Sequence, residues 1–233
     1  MEKVRHPKLM HFYGFSQDEN KRTMISDIAL GGDLDKLLHS ENKPKILNTI
    51  DRIEIIKDVA LGIQGFHSKN FVHRDIKPGN ILFIDKITED SKILTAKLAD
   101  YGSAYHLKSE LHKYIMESDD EFECQSYHQG TVQYAPPEIL IADLKQLTTK
   151  ADIYSFGILI WEVFTNKRPY DKIKKGVLII LSQKIMNENL TPLEEKLNSG
   201  EVIKIPYLPE TPIEIEKIVK KCLSANPNDR PSI

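Results

Sequence analysis

Cysteine is nearly absent from these 233 residues: Cys124 and Cys222 are the two that occur. They give neither a disulfide framework nor a metal-ligand spacing, and they fit a reducing compartment. Long apolar runs are missing too. The longest, 153–164, is too short to span a bilayer and carries Asp152 and Glu162 near its ends. Charge of one sign is not in excess: 32 Lys and Arg against 34 Asp and Glu leave a formal −2. Nothing therefore advertises a nucleic acid or an anionic membrane as partner. The amino terminus is charged (Glu2, Lys3, Arg5, His6) with no apolar core behind it, so no signal peptide is visible and a cytoplasmic location is expected. No internal repeat and no low-complexity tract occurs. The length allows one large domain or two small ones.

Against these absences stands His73-Arg74-Asp75-Ile76-Lys77-Pro78-Gly79-Asn80. Pro78 and Gly79 forbid a helix through its middle, so it reads as a loop between the strand-like Phe71-Val72 and Ile81-Leu82-Phe83-Ile84. A rigid loop holding Asp, Lys and Asn suits phosphoryl transfer. The carboxylate can orient a hydroxyl, the ammonium can meet a phosphoryl oxygen, and the amide oxygen can ligate a hard cation. A second motif, Ala99-Asp100-Tyr101-Gly102, follows the strand-like Ala96-Lys97-Leu98.

The remaining pattern is read from periodicity. Strands are expected over 11–16 and 23–28, split by a polar hexapeptide, as a hairpin. A glycine pair, Gly31-Gly32, leads into a short helix over 33–39. Apolar residues at helical spacing (Ile46, Ile50, Ile53, Ile56, Val59, Ala60, Ile63, Phe66) predict an amphipathic helix over 46–67. Strands at 81–84 and 96–100 form a second hairpin around a polar, solvated excursion, 85–95. The segment 150–165 is apolar nearly all round and predicts a buried helix. Further helices are expected over 176–187 and 213–223, separated by a loop marked by Pro206, Pro209 and Pro212.

The two motifs together resemble the catalytic loop and the magnesium-binding segment of eukaryotic protein kinases, and the resemblance runs from His6 to Pro231. It implies an α+β protein-kinase-like fold, mainly the helical C-terminal lobe with a remnant hairpin of the N-terminal lobe. Residues 1–32 would be the end of the N-lobe and the hinge, and 33–233 the C-lobe. The implied activity is transfer of the γ-phosphoryl of ATP to Ser or Thr of protein substrates. Asp75 would be the orienting base, Lys77 would neutralise the γ-phosphoryl, and Thr131 would brace both. Asn80 and Asp100 would hold Mg2+; Asp27, Ile28 and Ala29 would form the hinge that meets the adenine, with small Ser26 behind it and Leu82 beside the nucleotide. Arg74 would bind an anion on the activation segment, where Ser109, Ser118, Ser126 and Tyr127 are phosphorylation candidates and the acidic run 117–123 is a built-in alternative. Glu138 would pair with Arg230, and Asp152 would hold the catalytic-loop backbone. A Lys at 77 is similar to serine/threonine kinases. Asp-Ile-Tyr-Ser-Phe-Gly-Ile-Leu-Ile-Trp-Glu and the closing Asp-Arg-Pro-Ser resemble the tyrosine-kinase-like group, and Tyr101 is similar to leucine-rich-repeat kinases of the Roco family.

No Gly-x-Gly-x-x-Gly and no Val-Ala-x-Lys strand occurs. Losing one preorganised electrostatic donor costs about 2.7–4 kcal/mol, so losing two leaves little transfer. The expectation is a fragment lacking the Gly-rich loop, the strand Lys and a helix after Ile233, with additional domains outside this chain. A non-catalytic, pseudokinase-like binding or regulatory module is the alternative.

Overall fold

The computed structural model describes residues 4–18, 22–109, 113, 130–140, 147–170 and 211–233. They divide between two units. The first comprises Met1–Lys69, Pro78–Gly102 and Ile233; the second comprises Asn70–Lys77 and Ser103–Ser232.

The first unit opens on an antiparallel hairpin, β1 (Phe12–Gln17) with β2 (Arg22–Ser26). Helix α1 (Leu34–His39) follows, its first turn closed by the Asp33 carboxylate accepting from the Lys36 amide. Helix α2 runs over Thr49–His67 rather than from 46. Asn48 and Asp51 form a reciprocal capping box that satisfies two orphan amides and fixes the start. Its buried face is Ile55, Ile56, Val59, Ile63 and Phe66, each contributing about 1.5–3 kcal/mol when fully buried. Ile46 and Ile50, expected on that face, are 87% and 73% exposed; Ile46 precedes the cap, and in the first turn Asp51 rather than Ile50 is the buried residue.

A second hairpin, β4 (Ile81–Phe83) with β5 (Ala96–Leu98), packs against α2. Ile81, Phe83, Ala96 and Leu98 are fully buried, whereas Leu82 and Lys97, directly paired across the strands, lie on the other face. The excursion 85–95 is less solvated than its polar sequence suggests. Ile87 and Leu94 are buried, and the Lys45 ammonium donates to the Ser91 carbonyl at 2.6 Å.

In the second unit the short strands β3 (Phe71–Val72) and β6 (Tyr105–His106) pair antiparallel. Helix α3 (Pro137–Leu140) precedes α4 (Lys150–Thr165), which is buried from Ala151 to Ile160 and again at Glu162, Val163 and Phe164. An apolar surface on every side needs cover on every side. Asn166, left-handed at φ 52, ends the helix. Helix α5 (Ile213–Cys222) packs on α4 at Gly157, where an added Cβ would lie 2.7 Å from the Cβ of Cys222. Burial pushes the Cys222 thiol up to about 12, so it stays protonated and packs as a small apolar group. The expected helix over 176–187 lies outside the described residues, as do Pro206 and Pro209.

Candidate functional site

The octapeptide is shared between the units: His73–Lys77 belong to the second and Pro78–Asn80 to the first. In the second unit, the 0%-exposed Asp152 reaches from the first turn of α4 and accepts from the backbone amides of His73 (2.8 Å) and Arg74 (2.9 Å). Arg74 is held in the left-handed region at φ 66, a conformation costing a bulky residue about 1–3 kcal/mol, and the two bonds to Asp152 help fix it. Its guanidinium Nε donates to the Ser103 carbonyl at 2.6 Å and its Cζ lies over the Tyr105 ring, 5.1 Å from the ring centre.

Three side chains close a small network around the loop. Lys77 Nζ lies 2.8 Å from Asp75 Oδ2 and donates to Thr131 Oγ1 at 2.7 Å. Thr131 in turn donates to Asp75 Oδ1 through both its amide and its hydroxyl, each at 2.9 Å. Gly130 makes this approach feasible. At its φ of +122 a Cβ would sit 2.5 Å from the Arg74 carbonyl oxygen, so a side chain is excluded where Thr131 must close on Asp75.

Behind this network the segment 134–138 is pinned from α4 and the carboxyl end. Tyr134 donates to Glu162 at 2.6 Å, and Ser155 donates to the Tyr134 carbonyl at 2.8 Å. Glu138 and Arg230, both 0% exposed, meet through two hydrogen bonds of 2.6 and 2.8 Å; Arg230 also donates to the carbonyls of Ser224, Ala225 and Lys150. The bidentate fork and these carbonyls satisfy a guanidinium that would otherwise be costly to bury.

In the first unit, Pro78–Asn80 form one 3-10 turn, which a proline can start. The octapeptide is therefore a loop with a single helical turn at its end. The Asn80 carbonyl accepts from Ala99 N at 2.8 Å, so the register of β4 and β5 places Asn80 and Asp100 at the same end of their hairpin. Asp100 is exposed, left-handed at φ 58, and its Oδ1 accepts from Gly102 N at 3.1 Å. Tyr101 donates to the carbonyls of Met10 (2.7 Å) and Leu98 (3.0 Å) and lies 5.2 Å from the Phe66 ring. Burial pushes its phenol well up, so it remains a donor.

The remaining expected residues fall as follows. Ile28 is 74% exposed, and none of the hydrogen bonds among the described residues engages the backbone of Ile28 or Ala29. The flanks are fixed: Asp27 N donates to the His11 carbonyl, Leu30 N to Ile84 O and Gly31 N to Phe83 O, each at 3.0 Å. The Ser26 hydroxyl donates to the Asp27 carbonyl at 3.3 Å. Ser109 accepts from Lys113 N and donates to His106 O through its backbone, both at 3.1 Å. Ser118, Ser126, Tyr127 and the run 117–123 lie outside the described residues.

The family model described as "Protein kinase domain" matches residues 1–233. This chain belongs to the protein kinase family. Its relatives include the dual specificity protein kinase shkC of Dictyostelium discoideum, 28% identical over all of this chain and 39% of the relative. Another is the mitogen-activated protein kinase kinase kinase 7 of Drosophila melanogaster, 26% identical over all of this chain and 29% of the relative. A third is the phytosulfokine receptor 1 of Arabidopsis thaliana, 30% identical over all of this chain and 21% of the relative. The chain thus spans well under half the length of these relatives. The kinase has an α+β fold, and membership of the family carries with it ATP and a divalent metal as the general requirements of the reaction. Among its described residues no helix is long and apolar enough to cross a membrane.

The Tyr134–Glu162 bond and the partners of the Asp27 carboxylate were not among the expected contacts. A carboxylate inside the apolar run of α4 was the visible signal for the first, because a buried acid requires a donor. No comparable signal marked the second.

Proposed function

We propose that this chain is the catalytic part of a serine/threonine protein kinase, transferring the γ-phosphoryl of ATP to Ser and Thr hydroxyls of protein substrates. The observation that carries the reading is the closed Asp75–Lys77–Thr131 network. Asp75 accepts the hydrogen bond of the acceptor hydroxyl and orients it. Positioning outweighs proton removal in a loose phosphoryl-transfer transition state, so a carboxylate of ordinary basicity suffices. Lys77, fixed on both neighbours, presents a positive charge to the transferring phosphoryl, and Thr131 keeps base and ammonium in register.

Asn80 and Asp100 offer oxygen donors, which fit a hard cation such as Mg2+. Such an ion supplies neutralisation of the phosphate charge when bound. The backbone of Ile28 and Ala29, which no hydrogen bond among the described residues engages, and the outward face of Leu82 supply a hinge and an apolar surface for adenine. Arg74 serves as the site for a phosphate on the segment 103–131. Protein substrates, a cytoplasmic setting and further domains beyond this chain complete the reading.

The test is phosphoryl transfer from labelled ATP by the full protein that carries this chain, with Mg2+ and mixed Ser, Thr and Tyr peptides. Label on Ser and Thr, abolished in Asp75→Asn, is expected. Label confined to Tyr overturns the residue specificity. Absence of both transfer and Mg2+-dependent ATP binding overturns the enzyme and leaves a binding module.

A further inference from the structure

The side chain of Asp27 has a place that none of these roles uses. Its Oδ1 accepts from the Tyr13 hydroxyl at 2.9 Å; its Oδ2 accepts from the His11 amide at 3.2 Å and lies 3.2 Å from Lys97 Nζ. The Asp27 amide also donates back to the His11 carbonyl, so one residue closes both strands just past the end of β2. Lys97 comes from β5, opposite Leu82 and on the face of the hairpin turned away from α2. Three residues further along the chain stands Asp100.

One ion pair therefore joins the stretch 27–29 to β5, which ends two residues before Asp100, all within one unit. Position 30 onward is fixed by strand-like bonds to Phe83 and Ile84, whereas Ile28 and Ala29 have no such anchor among the described residues. Their placement is set by the two flanks, and on the amino-terminal side that flank is Asp27. The two side chains of the pair are 19% and 21% exposed, so solvent screens them less than a pair standing free on the surface.

We propose that Asp27 and Lys97 form an ionic clasp, steadied by Tyr13, that positions the 27–29 backbone and so sets nucleotide affinity. Both are positioning residues, acting on the hinge and through it on the adenine. The inference rests on the nucleotide reading above.

The experiment measures binding of a fluorescent ATP analogue with Mg2+, together with KM and kcat for ATP, in the full protein and its variants. Lys97→Met and Asp27→Asn are each expected to weaken binding and raise KM by about three- to tenfold, a change larger than any fall in kcat. The double variant should be no weaker than the worse single one, because the two residues act as one unit. Lys97→Arg, which keeps the charge, should recover most of the affinity even if the Met variant is poorly folded. Lys92→Met removes an exposed lysine and controls for net charge. Wild-type protein that binds nucleotide while the Met, Asn and Arg variants bind as tightly, or with the Arg variant as weak as Met, overturns the clasp. Wild-type protein that binds no nucleotide overturns the functional reading beneath it.

Discussion

The two parts of the octapeptide are held by different means. His73–Lys77 hang from side chains: a buried carboxylate on α4 takes two of their amides, and Thr131 closes on Asp75 and Lys77. Pro78–Asn80 pass directly into a strand, and backbone pairing from Asn80 to Phe83 holds them. A backbone ladder tolerates changes of side chain, because its bonds use groups every residue carries. A scaffold of single buried side chains does not. The position of the loop is therefore expected to be more sensitive to side-chain change around Asp75 than to change at the backbone-held residues 78–80, the buried core positions of β4 and β5 apart.

The sharpest break of that contrast is Asp75→Asn. On the proposed role of Asp75 as orienting base, its loss is expected to lower phosphoryl transfer by about 10²–10⁴-fold, with nucleotide binding retained, measured by parallel rate and binding assays. Next comes Glu138→Gln or Arg230→Met. Removing one partner of a fully buried pair leaves the other charge uncompensated and should cost about 3–5 kcal/mol, read as a fall in denaturation midpoint. Asp152→Ala orphans two amides of the loop and releases the left-handed Arg74. A loss of about 2–4 kcal/mol is expected, with transfer falling more than global stability. In the first unit, Asn48→Ala removes half of the capping box of α2 and should cost about 1 kcal/mol with transfer unaffected. Equal losses of transfer in the Asp152 and Asn48 variants would erase the distinction between the two kinds of support.

The smallest effect concerns pH. Burial by itself would raise the Asp27 carboxyl, but the Tyr13 hydroxyl, the His11 amide and Lys97 together hold it below the ordinary carboxylate value. A group depressed in the folded state adds stability above its unfolded value, near pH 4. That contribution disappears as pH falls through the lower folded value. Stability of wild type should therefore decline more than that of Asp27→Asn as pH drops from about 5 towards 3, by titration-monitored unfolding. Parallel curves would show that the carboxylate makes no difference.

Legibility in the sequence followed the same division. Helix α4 was expected with its observed ends, since an apolar run bounded by polar residues admits few other forms. Helix α2 was overextended at its start, because periodicity continues through Ile46 and Ile50 while the chain begins its helix only where Asn48 caps it. The polar excursion 85–95 hid two buried apolar residues and a tie to Lys45. Asp75, Lys77, Asn80 and Asp100 stood out as residue types suited to phosphoryl transfer. The left-handed Arg74, the closing of Gly130 on its carbonyl and the reach of Lys97 to Asp27 had no mark in the sequence.

The order of residues alone set the chemistry on offer, the apolar helix at 150–165 and the strand-like runs, because each depends on neighbours within a few positions. Distances of 92 residues between Glu138 and Arg230, 79 between His73 and Asp152, and 70 between Asp27 and Lys97 had to be closed by packing. These groups meet only when packing brings distant segments together and shields them from much of the water, and that is a property of the tertiary structure.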